Sequence, residues 1–118
     1  MAIVEPLSPT PEGRRRLAIR SPATREPVGE IVVCSPTDVA NAIEAARDAQ
    51  KEWRRVPISE RARIVRGAVD LLVDKRAEVV RTIMDETGKT HLESLMMEIL
   101  PGCDYINFWS GNAERELR

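Results

Sequence analysis

The chain has few of the side chains that usually carry chemistry. Its 118 residues include one histidine and two cysteines. A metal site needs three or four ligands, and His91 has no second ligand near it in sequence. Cys34 and Cys103 show neither metal-ligand spacing nor a disulfide pattern. Thiols of that kind suit a reducing compartment, so the expectation is a cytoplasmic protein. Aromatic residues make up 3% of the chain, so a core must be assembled from Ala, Val, Ile, Leu and Met. No long apolar run is present, which excludes a signal-peptide core and a membrane span. The net charge of −1 gives no electrostatic case for a nucleic-acid or membrane partner. Neither Gly-x-Gly-x-x-Gly nor Gly-x-x-x-x-Gly-Lys occurs, so the sequence offers no phosphate cradle and no cofactor-binding residue.

What remains is a globular composition, 42% hydrophobic and 31% charged, long enough for one domain with a modest core. Residues 1–16 read as a flexible tail, because Pro6, Pro9 and Pro11 remove backbone donors and Gly13 adds freedom. Arg14-Arg15-Arg16 then reads as a solvated basic run. Leu17–Arg20 and Val28–Val33 are rich in β-branched residues and flank turn chemistry, which predicts an antiparallel hairpin over about 17–33. Pro27 suits the start of the second strand.

Three helical stretches follow. Ser35 and Pro36 open the first, about 36–53, with Val39, Ile43 and Trp53 on one face. The second, about 59–87, carries Val65, Leu72, Val79 and Ile83, and the polar step Asp74-Lys75-Arg76 can divide it. Gly88 fits the left-handed position beyond its end. The third, about 91–117, starts with a capping box from Thr90 to Glu93. Pro101 beside Gly102 predicts a kink in it. The fold class is therefore mostly α with an N-terminal β-hairpin, in a domain covering 17–118.

No catalytic or metal-binding residue stands out. His91 belongs in an exposed first turn. Cys103 reads as a small core residue and Cys34 as structural, since neither has a base in view. Arg54, Arg55, Arg61, Arg63 and Arg66 alternate with Glu52, Glu60 and Asp70, the pattern of a solvated helix face.

One set of phrases is more specific. Ser-Pro-Ala-Thr (21–24), Val-Gly-Glu (28–30), Trp53, Glu-Arg-Ala-Arg-Ile (60–64), Glu-Thr-Gly-Lys (86–89) and Phe-Trp-Ser-Gly (108–111) follow in an order and spacing that resembles the N-terminal part of an aldehyde dehydrogenase. The flavour resembles the bacterial semialdehyde-oxidising branch, succinate-semialdehyde dehydrogenase included. The resemblance implies an N-terminal fragment of the α/β aldehyde dehydrogenase fold. It implies a parent enzyme, a homo-oligomer, that oxidises an aldehyde or semialdehyde with NAD or NADP. There a cysteine thiolate attacks the aldehyde, hydride leaves to NAD(P)+, and water releases the acid. The residues for those steps lie further along in the family, so this chain is expected to be inactive alone and to need the remainder of the polypeptide as partner. Counting back along the last helix from Phe108-Trp109 places Met97 and Pro101 near the family's substrate entrance. Arg25 stands where the family usually has Gly, so the hairpin turn is expected to differ. The competing reading is a small self-contained helical protein-interaction module, which requires a closed core within these residues. A helix-turn-helix DNA binder is disfavoured by the charge balance.

Overall fold

The computed structural model of the chain describes residues 2–117. Met1, assigned above to the tail, and Arg118, assigned to the end of the domain, lie outside the described residues. Three strands come first: β1 (Ile3–Leu7), β2 (Arg16–Arg20) and β3 (Pro27–Val32). Helices α1 (Pro36–Trp53), α2 (Ile58–Asp74), α3 (Arg76–Thr87), α4 (His91–Ser94) and α5 (Leu100–Glu116) follow, with a π-helical turn over Leu95–Ile99 between the last two. The fold is mostly α with an N-terminal antiparallel sheet. The residues cluster into two units, one running to Glu52 and including Asp85–Gly88, the other holding Trp53–Met84 and the chain from Lys89 onward.

In the first unit the sheet order is β1-β2-β3, antiparallel throughout. The hairpin expected over about 17–33 is β2 with β3, and Pro27 opens the second strand as its missing donor suggested. The expected tail over 1–16 is corrected: Ile3–Leu7 form a strand, with Ile3 opposite Arg20 and Leu7 opposite Arg16. The prolines did not prevent this because β1 is an edge strand, where Pro6 can turn its donor-free nitrogen away from the ladder. The basic run is solvated as expected at Arg14 and Arg15, but it is not part of a flexible arm. Arg14 bonds Asp38 at 2.6 Å, and Arg16 pairs with Glu30 across the sheet. A turn at Thr10–Arg14, with Gly13 at φ 77°, joins β1 to β2.

The turn between β2 and β3 is built on Ser21, which is 4% exposed. Its backbone N–H donates to Glu26 O at 3.0 Å, its carbonyl accepts from Arg25 N at 3.0 Å, and its hydroxyl accepts from Ala23 N at 3.3 Å. Closing this turn puts Arg25 at φ 67°, the left-handed region that a side chain disfavours. Helix α1 starts in a reciprocal box. Ser35 Oγ accepts from Asp38 N at 3.1 Å, and Asp38 Oδ2 accepts from Ser35 N at 2.8 Å. No residue of α1 is buried, and Val39 and Ile43 are about half exposed.

In the second unit the expected helical stretch over 59–87 is two helices. The chain leaves the α path at Lys75, whose N–H bonds Leu71 O at 3.0 Å, and Arg76 begins α3. Helix α5 packs on α2, and Gly102 leaves a Cβ-sized space 3.8 Å from Leu72 Cδ2. The Thr90–Glu93 capping box forms in full. Beyond it, the expected kink at Pro101 takes the form of a π turn just upstream. Leu100 N–H bonds Leu95 O, five residues back. The backbone stays helical through Ile99 and Leu100, so Pro101 stands within a continuous helix, and the π turn upstream accommodates its missing N–H and its ring. Val80 at 2% and Ile99 at 8% exposure are the buried large apolar side chains among the described residues.

Candidate functional site

The residues singled out from the sequence do not converge on one site. His91 is exposed in the first turn of α4, Cys34 is exposed before α1, and Cys103 is half-buried in α5. Among the described residues no three His, Cys, Asp or Glu side chains group as a metal site, and no helix is long and apolar enough to cross a membrane.

A dinucleotide's phosphates need backbone N–H groups, usually a glycine turn between a parallel strand and a helix N-terminus. The described strands are all antiparallel. Two helix N-termini are already closed by carboxylates. At α1, hydrogen bonds from Ser35, backbone then hydroxyl, hold the Asp38 carboxyl below the usual range against slight desolvation, and Arg14 adds to this. At α4, Thr90 does the same for Glu93, with Lys89 adding to it. Helix α2 carries Glu60 in its first turn, kept ionised chiefly by its hydrogen bonds from Arg63. An incoming phosphate would meet negative charge at each. The residues present do not fit a nicotinamide cofactor.

What the second unit does offer is an apolar groove between α2 and α5, with a volume of about 310 Å³. Trp53, Ile58, Ala62 and Val65 form one side, and Trp109, Ala113 and Leu117 the other. Trp109 makes an edge-on contact with Phe108, their ring centroids 5.2 Å apart at 86°. Arg61 also borders the groove, and its Nε is buried with no hydrogen-bond partner. Sequence reasoning placed Arg61 among solvated arginines. The signal for its real position was spacing: Ile58, Arg61, Ala62 and Val65 follow at three- and four-residue steps, so Arg61 lies within the apolar stripe. Arg63, one of the same group, is 72% exposed and bonds Glu60, which fits the solvated reading.

Comparison with known proteins gives these elements a family. The sequence model of the aldehyde dehydrogenase family matches residues 10–118. The chain belongs to the aldehyde dehydrogenase family. No solved structure matches it. The match begins after β1. Two phrases that carry the aldehyde dehydrogenase resemblance meet in the first unit. Gly88 of Glu-Thr-Gly-Lys sits at φ 74°, and a Cβ on it would come 3.2 Å from Pro22 Cγ of Ser-Pro-Ala-Thr. The positive φ favours glycine there, and a Cβ would press on the Pro22 ring. Arg25, where an aldehyde dehydrogenase usually has glycine, keeps the left-handed conformation without the residue suited to it. Met97 lies inside the π turn and is 65% exposed, while Pro101 is half-buried on α5. Counting in α-helical steps from Phe108 is sound as far as Leu100, and is offset inside the π turn, which holds one extra residue.

Proposed function

We propose that this chain serves aldehyde oxidation as the N-terminal portion of an NAD(P)+-dependent aldehyde dehydrogenase, acting on an aldehyde or semialdehyde in the cytoplasm. The nucleophilic cysteine, the general base and the cofactor cradle would come from polypeptide beyond these residues. The family match over residues 10–118 carries the reading. The poor fit of the described residues to a dinucleotide supports the division of labour. In this reading the second unit forms part of the scaffold, Met97 and Pro101 border the substrate entrance, and the complete enzyme is a homo-oligomer. NAD or NADP would be held by the remainder, not by this chain.

The rival reading, a self-contained helical interaction module, asks for a closed core. Val80 and Ile99 are few for that purpose, and Leu92, Met97 and Tyr105 are more than half exposed. This favours a segment that packs against more polypeptide. The test is an assay of the purified chain with NAD+ or NADP+ and a panel of aldehydes and semialdehydes. No turnover is expected. Turnover abolished by Cys103→Ala would refute the proposal that the chain is inactive and give that thiol a catalytic role.

A further inference from the structure

The groove between α2 and α5 has an unusual combination of features. Its walls are aliphatic and indole, yet a permanent cation stands at its border. Among the described residues, the buried Nε of Arg61 has no hydrogen-bond acceptor. A guanidinium cannot relieve such a position by losing its proton, and buried donors are satisfied in the great majority of structures. The other polar groups at the groove do not supply the acceptor. Glu116 is engaged by Arg115, whose Nε lies 2.8 Å from its Oε1, and Ser110 Oγ donates to Asn107 O at 3.3 Å. The rest of the lining is apolar.

We propose that this groove binds an amphipathic monocarboxylate, its apolar body between Trp53 and Trp109 and its carboxylate on Arg61. Charge complementarity selects the anion. The planar fork of a guanidinium matches a carboxylate's two oxygens, and its pairing in partly dry surroundings is stronger than in water. Volume points to a small ligand: about 310 Å³ lies at the lower end of the roughly 300–1,000 Å³ of small-molecule sites. Apolar walls with one charged group that fixes orientation are the usual make-up of a small-molecule site. The proposal does not rest on the function proposed above.

The chain reports on this site itself. Its two tryptophans are Trp53 and Trp109, and both line the groove. The experiment titrates the full chain with sodium octanoate and, separately, octanamide, following tryptophan fluorescence. A saturable change with octanoate is expected, with Kd of roughly 0.1–1 mM for a ligand of this size. Octanamide, alike in shape but uncharged, should bind at least about tenfold more weakly. Arg61→Gln should remove that preference, Arg61→Lys should retain part of it, and Arg76→Gln, a charge-matched control elsewhere, should change nothing. Should Arg61→Gln fail to fold, as circular dichroism would show, the acid-versus-amide comparison on the unaltered chain still decides. Equal affinity for acid and amide, or no saturable change with octanoate, would overturn the proposal. So would unchanged acid preference in a folded Arg61→Gln chain. A self-associated chain whose size and fluorescence ignore octanoate would also overturn it, showing a second copy as the occupant.

Discussion

At Arg25 the backbone holds a left-handed conformation with φ 67°. For a residue with Cβ this costs roughly 1–2 kcal/mol, and glycine's extra unfolded-state freedom takes back roughly 0.5–1. The difference favours glycine, so Arg25→Gly should raise stability by about 0.5–1 kcal/mol, read as a higher denaturant midpoint with an unchanged slope. The neighbouring position behaves oppositely. Gly88→Ala adds a Cβ where φ is 74° and Pro22 Cγ is 3.2 Å away, so a loss of more than about 1 kcal/mol is expected in the same titration. Both positions could be picked out in the sequence, because glycine, or its replacement in a turn, marks a backbone requirement. Arg61 was not picked out. Its neighbours in sequence are charged, and charge drew attention away from the three- and four-residue spacing that sets it in the apolar stripe.

The helices and their ends were the most legible elements, since capping is local chemistry. Ser35 with Asp38 and Thr90 with Glu93 each satisfy free N–H groups within one turn. Both carboxyls are held below their usual range by those bonds. A lowered folded-state pKa means the stabilisation is fully present above the ordinary carboxylate pKa of about 4 and is lost as pH falls through the folded value. Protection from hydrogen exchange, taken relative to the intrinsic rate at each pH, should therefore fall at the starts of α1 and α4 below about pH 4. Unchanged protection in both first turns at pH 3 would contradict this. Thr90→Ala should cost about 1 kcal/mol at neutral pH. Strand β1 was the element missed, because three prolines read as disorder, and only the pairing partner shows that they fall at an edge and in a turn. Pro101 was seen as a break but not as a π turn. Since the π turn just upstream already accommodates it, Pro101→Ala should change stability by less than about 1 kcal/mol, not the roughly 3 kcal/mol of an unrelieved helix interior. A larger gain on thermal melting would mean the proline is strained where it stands.

At the scale of the molecule, the balance between covered and uncovered apolar surface matters most. A large side chain left in water forgoes about 1.5–3 kcal/mol of burial, against a net domain stability of about 5–15. Sequence periodicity marks which face of each helix is apolar, but it cannot say whether anything covers that face. Helix α1 shows the gap between the two. Its 18 residues follow a clear amphipathic pattern and none is buried. A helix with no buried residue, tied by one exposed ion pair from Arg14 to Asp38 in its first turn, opens at a cost far below that of unfolding the rest. Trypsin under native conditions should therefore cut first at Arg47 or Lys51, within α1, and later at Lys89, which is half-buried and paired with Glu98. Early fragments ending at Lys89, with α1 intact, would show the helix to be held. Inside a cell the same opening is what proteases and chaperones sample. How long this polypeptide survives after synthesis would then depend less on its own stability than on how soon something covers α1.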